Sequence, residues 1–355
     1  MSTLGRVTVP WSWYSDPAIH SLELERIFRR SWQYAGHLGE LQGPGSYFAS
    51  DTGPVPIVIT LDADGELRGF VNVCRHRGAL VATDARKRGT IQCPYHAWTY
   101  DLNGCLRAAP RADEDPAFDS SERGLLPVSV GTWGPFVFAN PDPEAEPLSD
   151  ALGDLPAVVA EHGLDIDSLK FNQRVPYEIR ANWKIAIENY LECIHCPVNH
   201  PSLLDVIDER RMEWRARGLR ASQFNPVHPR SLNGRGPIDA HGELHCAQFH
   251  LWFPTMKFNV LPGHGNLSIG PMWPTSPVTC AAYLDYWFAD TADQSWIEDL
   301  LVLDAQVGAE DTALVEAAQR GTSSGMIDRG WILGTTETLI GHFQDYVRDQ
   351  LALDT

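Results

Sequence analysis

Two short segments, CRH at 74–76 and CPYH at 93–96, limit what this chain can fold into more than any other feature. Each offers one thiolate and one imidazole, and sixteen residues separate the halves. If four such side chains are to share one inorganic centre, each pair must sit in a tight loop and the loops must face each other. Two facing loops can hold a two-iron cluster, with Cys74 and Cys93 on one iron and His76 and His96 on the other. A Cys2His2 zinc site uses the same residue types. Its usual order pairs like ligands, C-x2–4-C and then H-x3–5-H, whereas here each half mixes them. The third reading is ordinary buried cysteines and satisfied histidines.

Composition narrows the partners. The chain has 355 residues, enough for two domains, and at 43% hydrophobic it can bury a core. Its net charge of −18 repels phosphate backbones, so nucleic acid is not an expected partner. MSTLGRVTVPWSW has no apolar signal core. Residues 258–284 carry no acidic or basic side chain, but Pro262, Pro271, Pro274 and Pro277 interrupt them, so no membrane span is expected. Seven cysteines in a chain without an export signal favour free thiols or metal ligands over a disulfide framework, with the cytoplasm as compartment.

The texture changes along the chain. Asp16-Pro17 reads as an N-cap followed by proline in the first turn, starting a helix that ends near Ser31. From about 40 to 140, short apolar runs alternate with turns, and Asp64-Gly65 and Asn103-Gly104 are hairpin signals. NPDPEAEPLSD (140–150) reads as a linker. Beyond it the pattern predicts a helix from Asn182 to Ile194, strands near 247–260, 266–270 and 278–288, and a long helix over 294–320. Residues 205–245 read as a loop or lid. The expected division is 1–39 as an N-terminal segment on the catalytic domain, 40–150 as a small all-β domain and 151–355 as the catalytic domain.

The stretches CRHRGALVA and CPYHAWTYDLNGCLRAAP closely resemble the Rieske [2Fe-2S] domain of ring-hydroxylating and related non-haem iron oxygenases. Ala97 departs from the family pattern, which usually has glycine after the second histidine. The resemblance implies an α+β architecture: an N-terminal all-β Rieske domain and a C-terminal helix-grip domain, a curved antiparallel sheet closed by a long helix. It also implies a second centre, one Fe(II) held by two histidines and a carboxylate with positions open for oxygen and substrate.

ANWKIAIENYLECIHCPVNHP resembles the family's iron-binding segment and assigns His195 and His200 as ligands. On the expected helix, Glu192 and His195 share a face, Pro197 ends the helix, and His200 returns from an irregular turn. Cys193 and Cys196 are expected as buried small hydrophobes; with the histidines they are a poor tetrahedral zinc set. The resemblance makes Glu192 the bridging carboxylate that hydrogen-bonds a cluster histidine of a neighbouring subunit in a homotrimer. Glutamate there resembles the subgroup acting on quaternary ammonium compounds: choline and carnitine monooxygenases and glycine betaine demethylases. Asn189 matches an asparagine often close to the iron. The third ligand is expected to be Asp311 in DAQVGAEDTALVEAAQRG (304–321), with Glu310 and Asp304 as alternatives.

No G-x-G-x-x-G follows a strand, so NAD(P)H electrons are expected through a separate reductase, with or without a ferredoxin. The aromatic run between 249 and 288 offers Trp252, Phe253, Trp273, Tyr283, Tyr286 and Trp287 for cation–π binding of a quaternary ammonium. The expected activity is O2-dependent hydroxylation of such a small molecule, with N-demethylation where the hydroxylated carbon bears nitrogen. An aromatic-ring oxygenase acting on an aromatic acid is the second reading. A non-catalytic electron carrier or zinc-structured protein is the third.

Overall fold

Asp64-Gly65 and Asn103-Gly104 both close hairpins. Gly65 and Gly104 lie at φ 84° and 83°, where a side chain is strained. The first joins Ile57–Leu61 to Leu67–Val71 and the second joins Thr99–Asp101 to Leu106–Ala108. In the computed structural model, which describes residues 5–51, 53–233 and 236–353, both hairpins belong to one unit, Phe28–Ala151. Its larger sheet is antiparallel, in the order Gln33–His37, Phe136–Asn140, Pro127–Trp133, Leu67–Val71, Ile57–Leu61, Ser46–Ser50, Arg86–Lys87. A three-stranded sheet, Thr90–Gln92, Thr99–Asp101 and Leu106–Ala108, carries the second cysteine–histidine loop. Gln33–His37 pairs with Phe136–Asn140, so the unit begins near 28 and not at the expected 40.

The two cysteine–histidine loops close identically. Cys74 N donates to Ala79 O at 2.8 Å and Gly78 N to Cys74 O at 3.1 Å. Cys93 N donates to Trp98 O at 2.8 Å and Ala97 N to Cys93 O at 3.0 Å. Gly78 and Ala97 therefore occupy equivalent positions, and both are left-handed, at φ 75° and 60°. This backbone geometry is the physical reason for glycine there, and Ala97 fills it under strain.

The other unit holds residues up to Ile27 and from Leu152 onward. Asp16 caps the helix Pro17–Glu23 by accepting from Ala18 N at 2.7 Å, and a π-helical turn, Leu24–Phe28, follows. A curved antiparallel sheet runs Leu169–Ile179, Thr279–Ala289, Asn266–Gly270, Met256–Val260, Cys246–Trp252, Arg220–Pro226, Glu213–Arg217, with Met272–Ser276 also on Thr279–Ala289. The long helix Gln294–Thr322, capped by Asp293, packs Trp296, Ile297, Leu300 and Leu303 against Leu284, Tyr286 and Phe288 of the sheet. Sequence patterning placed no strand at Leu169–Ile179 because Pro176 interrupts it. That strand is an edge, where a missing N–H is tolerated. Part of the unplaced 205–245 segment is a hairpin, Glu213–Arg217 with Arg220–Pro226, turning at Gly218 (φ 53°). Among the described residues no helix is long and apolar enough to cross a membrane.

Replacing Ala97 by glycine removes a left-handed alanine but loosens the unfolded chain. The net expectation is a stabilisation of about 0.5–1 kcal/mol. Scanning calorimetry of the full chain should show the transition of the Phe28–Ala151 unit moving up. A midpoint that stays or falls would mean the Ala97 methyl group contributes contacts that offset its strain.

Candidate functional site

The first candidate centre grows from the two loops. Cys74 and Cys93 are buried among Ile91, Trp98 and Tyr100, while His76 is exposed and His96 half-buried. The imidazoles lie together, ring centroids 4.6 Å apart, with His76 stacked on Trp98 and His96 on Tyr95. The thiols are likewise neighbours, and burial pushes the Cys93 thiol up. Tyr100 Oη lies 3.4 Å from Cys74 Sγ and accepts from Arg75 N at 3.1 Å. Thiols inside and imidazoles outside suit a cluster with one all-sulfur iron and one histidine-bound iron nearer solvent.

The second centre begins where a helix stops. Asn182 caps Trp183–Tyr190 by accepting from Lys184 N at 2.9 Å. The helix ends at Tyr190, short of the expected Ile194, so Glu192 and His195 lie in an irregular turn and not on a helical face. Pro197 starts the next short helix, Cys196–Asn199, in its first turn, where a missing N–H costs nothing. Cys193 and Cys196 are joined by a disulfide across this break, contrary to the expectation of free buried thiols. Both cysteines line the cavity, and Cys196 Sγ, 4.0 Å from His195 Nε2, is already bonded and no metal ligand.

Three donor atoms converge from two segments. His195 Nε2 lies 3.1 Å from His200 Nε2 and 3.3 Å from Asp311 Oδ1, and His200 Nε2 lies 3.0 Å from that oxygen. Donors about 2.1 Å from one ion sit about 3.0 Å apart at right angles and about 3.4 Å apart at tetrahedral angles. The triangle, with edges of 3.0, 3.1 and 3.3 Å, thus has the size that three ligands of one metal ion would span. Carboxylates fix both tautomers. Glu192 accepts from His195 Nδ1, and Glu310 Oε2 accepts from His200 Nδ1 at 2.7 Å. An ionised carboxylate only accepts, so each Nδ1 carries a hydrogen and each Nε2 is the atom left to face a metal ion once its own proton is displaced.

The electrostatics agree. Burial opposes a charged His195, yet Asp311 and Glu192 outweigh it and lift the imidazole to about 9. Asp311, which burial would push up, is drawn down to about 2 by the two histidines. The site attracts positive charge, and a divalent cation would displace the protons it competes with.

Glu310 orients His200 and is not a third ligand, and Asp304 bonds the Tyr286 hydroxyl away from the triangle. All these groups except Glu310 line a cavity of about 660 Å³, as do Asn189, Tyr177, Tyr190, Phe249 and Lys257. The aromatic expectation is corrected here. Trp252, Phe253, Trp273, Tyr283 and Trp287 do not line the cavity, whereas their neighbours Phe249, Met272, Leu284 and Tyr286 do. Side chains alternate along a strand, so a one-residue phase choice reverses the face. Trp287 packs on Phe171, Trp273 on Tyr283, and Phe253 on Phe343 and Tyr346. Sequence reading missed Lys257. Its signal is a single charge inside a mostly buried strand, Met256–Val260.

Residues 166–353 match the ring hydroxylating alpha subunit (catalytic domain) family and residues 31–127 the Rieske [2Fe-2S] domain. Choline monooxygenase of Spinacia oleracea is 30% identical over 97% of this chain and 78% of its own length. The carnitine monooxygenase oxygenase subunit of Escherichia coli (strain K12) is 31% identical over 95% of this chain and 92% of its own. The crystal structure of the quaternary ammonium Rieske monooxygenase CntA superposes with a TM-score of 0.87 at 29% identity, covering 97% of this chain and 95% of that one. Naphthalene 1,2-dioxygenase from Rhodococcus sp., at 20% identity, 98% and 95% coverage and a TM-score of 0.78, shares the fold.

The disulfide is directly countable. Alkylation of denatured, unreduced protein should label the five cysteines 74, 93, 105, 246 and 280, with all seven labelled after reduction. Mass spectrometry of peptides containing 193 and 196 reads the difference. Labelling of both without reductant would return them to free thiols.

Proposed function

This chain belongs to the Rieske-type ring-hydroxylating oxygenase α-subunit family, and we propose that it hydroxylates an N-methyl carbon of a small quaternary ammonium compound. The observation that carries this reading is the triangle of His195 Nε2, His200 Nε2 and Asp311 Oδ1. It opens on a cavity whose wall includes Tyr286 beside Tyr177 and Tyr190, the last two facing the Lys257 ammonium. A tyrosine face attracts a cationic head through its quadrupole. Relatives whose names specify choline and carnitine support the substrate class, as does a CntA structure in complex with γ-butyrobetaine.

In this reading Cys74, Cys93, His76 and His96 hold the cluster, and His195, His200 and Asp311 hold the iron. The cluster supplies single electrons, and the iron supplies the site at which oxygen is activated. The chain's own residues do the rest. Glu192 and Glu310 keep hydrogens on the Nδ1 atoms, so both Nε2 lone pairs stay available. The Tyr190 hydroxyl, donating to Asn259 Oδ1 at 2.6 Å with His250 O 3.2 Å away, ties the wall to the strand Met256–Val260. The apolar lining from Phe249, Met272, Leu284 and Val315 excludes water from the reacting carbon. Hydroxylation of a methyl group on nitrogen is followed by collapse to formaldehyde and the demethylated amine.

Electrons come from NAD(P)H through a separate reductase, and Glu192 faces the cluster of a neighbouring subunit in a homotrimer. A study of the related monooxygenase describes inter-subunit electron transfer, which supports this arrangement.

Anaerobically reduced protein should convert trimethylammonium compounds in a single turnover with oxygen, releasing formaldehyde and demethylated amine seen by mass spectrometry. Conversion of aromatic acids alone would overturn the substrate class and keep the oxygenase.

A further inference from the structure

The described residues contain two deeply buried lysines in the catalytic unit, and their surroundings differ. Lys184, 1% exposed, has a counter-ion: it pairs with the Glu23 carboxylate and donates to Trp13 O at 3.0 Å. Lys257, 9% exposed, stands in the cavity wall with one hydrogen-bond partner, Tyr177 Oη at 2.5 Å. Among the described residues no carboxylate oxygen comes within 4.0 Å of its Nζ. An ammonium has three donors, and a buried charge without a counter-ion is costly. Tyr177 and Tyr190 present their ring faces to it, with centroids 5.2 and 5.7 Å away, which eases but does not neutralise the charge. Burial works against the charged form, but Tyr177, Asp304 and Asp311 hold the ammonium above its usual range.

The same cavity carries an acid. Asp304, on the long helix, bonds the Tyr286 hydroxyl and not Lys257. It is seven positions from Asp311, so the two lie on one helix face about 10 Å apart along the axis. Burial pushes the Asp304 carboxyl up, so the wall holds an ammonium and a carboxyl group that are not a direct pair. A ligand that brings its own carboxylate supplies the counter-ion Lys257 lacks. A ligand with only a cationic head leaves Lys257 without a counter-ion.

We propose that Lys257 is the specificity-determining residue of this site. Its two free N–H groups receive the carboxylate of a dipolar N-methylated substrate and select such compounds over alcohols like choline. The proposal rests on the cavity being the substrate site, as argued above.

The test uses the holoprotein with both iron centres loaded. Binding of L-carnitine, γ-butyrobetaine, choline and benzoate is measured by calorimetry for wild type, Lys257→Met and Lys257→Arg. The visible spectrum of the cluster and the thermal midpoint confirm that each variant is folded. Wild type should bind the two carboxylated ammonium compounds more tightly than choline. In Lys257→Met that preference should fall about 10–100-fold, the effect of losing a charge-assisted hydrogen-bond pair, and KM should rise more than kcat falls. Lys257→Arg should recover part of the preference.

Equal losses for carnitine and choline would make Lys257 a structural residue and overturn the assignment. A wild type that prefers choline would do the same. Binding of benzoate alone, weakened by Lys257→Met, would overturn the ammonium reading and keep Lys257 as carboxylate receptor.

Discussion

Two imidazole Nε2 atoms face each other across 3.1 Å, because carboxylates hold hydrogens on the opposite nitrogens. Asp311 brings a negative charge to the same point, which lifts the His195 imidazole, and a divalent cation would displace the proton held there. A rigid frame keeps the three donor atoms at this spacing. The frame is visible in the helix that precedes it. Asn182 N donates to Gln319 Oε1 at 2.7 Å, tying that helix to the long helix that carries Asp311. Trp183 Nε1 and Lys184 Nζ both hold Glu23. Glu188, raised by burial to about 7, receives Tyr14 Oη at 2.9 Å and Gln344 Nε2 at 2.9 Å. A buried ion pair such as Lys184 with Glu23 is weak evidence of stability. Here it anchors the residues just before the break at Leu191, from which the ligand turn departs.

Opposite designs serve the two centres. In the β unit, two similar tight loops place the ligands mainly through local backbone hydrogen bonds. The same two hydrogen bonds recur in each loop, and a left-handed residue follows each histidine closely. In the catalytic unit, the ligands come from an irregular turn and a distant helix, so side-chain networks do the placing. The first arrangement leaves a spacing signature in the sequence. The second leaves little, because its partners are more than a hundred residues apart.

That difference explains what could be read in advance. The C-x-H and C-x2-H loops, the Asp-Gly and Asn-Gly hairpins, the caps at Asp16 and Asn182 and the long helix are local chemistry, and the structure has them. The expected helix ran past Tyr190 because its residue types suit a helix. Local propensity cannot see the disulfide or the ligand geometry that replace it. Of the six aromatic residues expected at the wall only Tyr286 lines it, since Tyr283, Tyr286 and Trp287 are all buried rings of one strand and only the fold decides which faces in. Lys257 borders the uncharged run 258–284 and was overlooked for that reason, although a lone charge at the edge of a buried strand is itself a signal. Glu310 was weighed as a ligand. Its oxygen goes instead to His200 Nδ1, a role that depends on a geometry between helix and turn that no spacing reports.

Counting iron and acid-labile sulfide in Asp311→Asn beside wild type tests the triangle most directly. The account predicts about three irons and two sulfides per wild-type chain. The variant should keep two irons, both sulfides and an unaltered cluster spectrum. A variant that retains the third iron, or that loses the cluster along with it, would contradict the assignment of His195, His200 and Asp311 as one metal face.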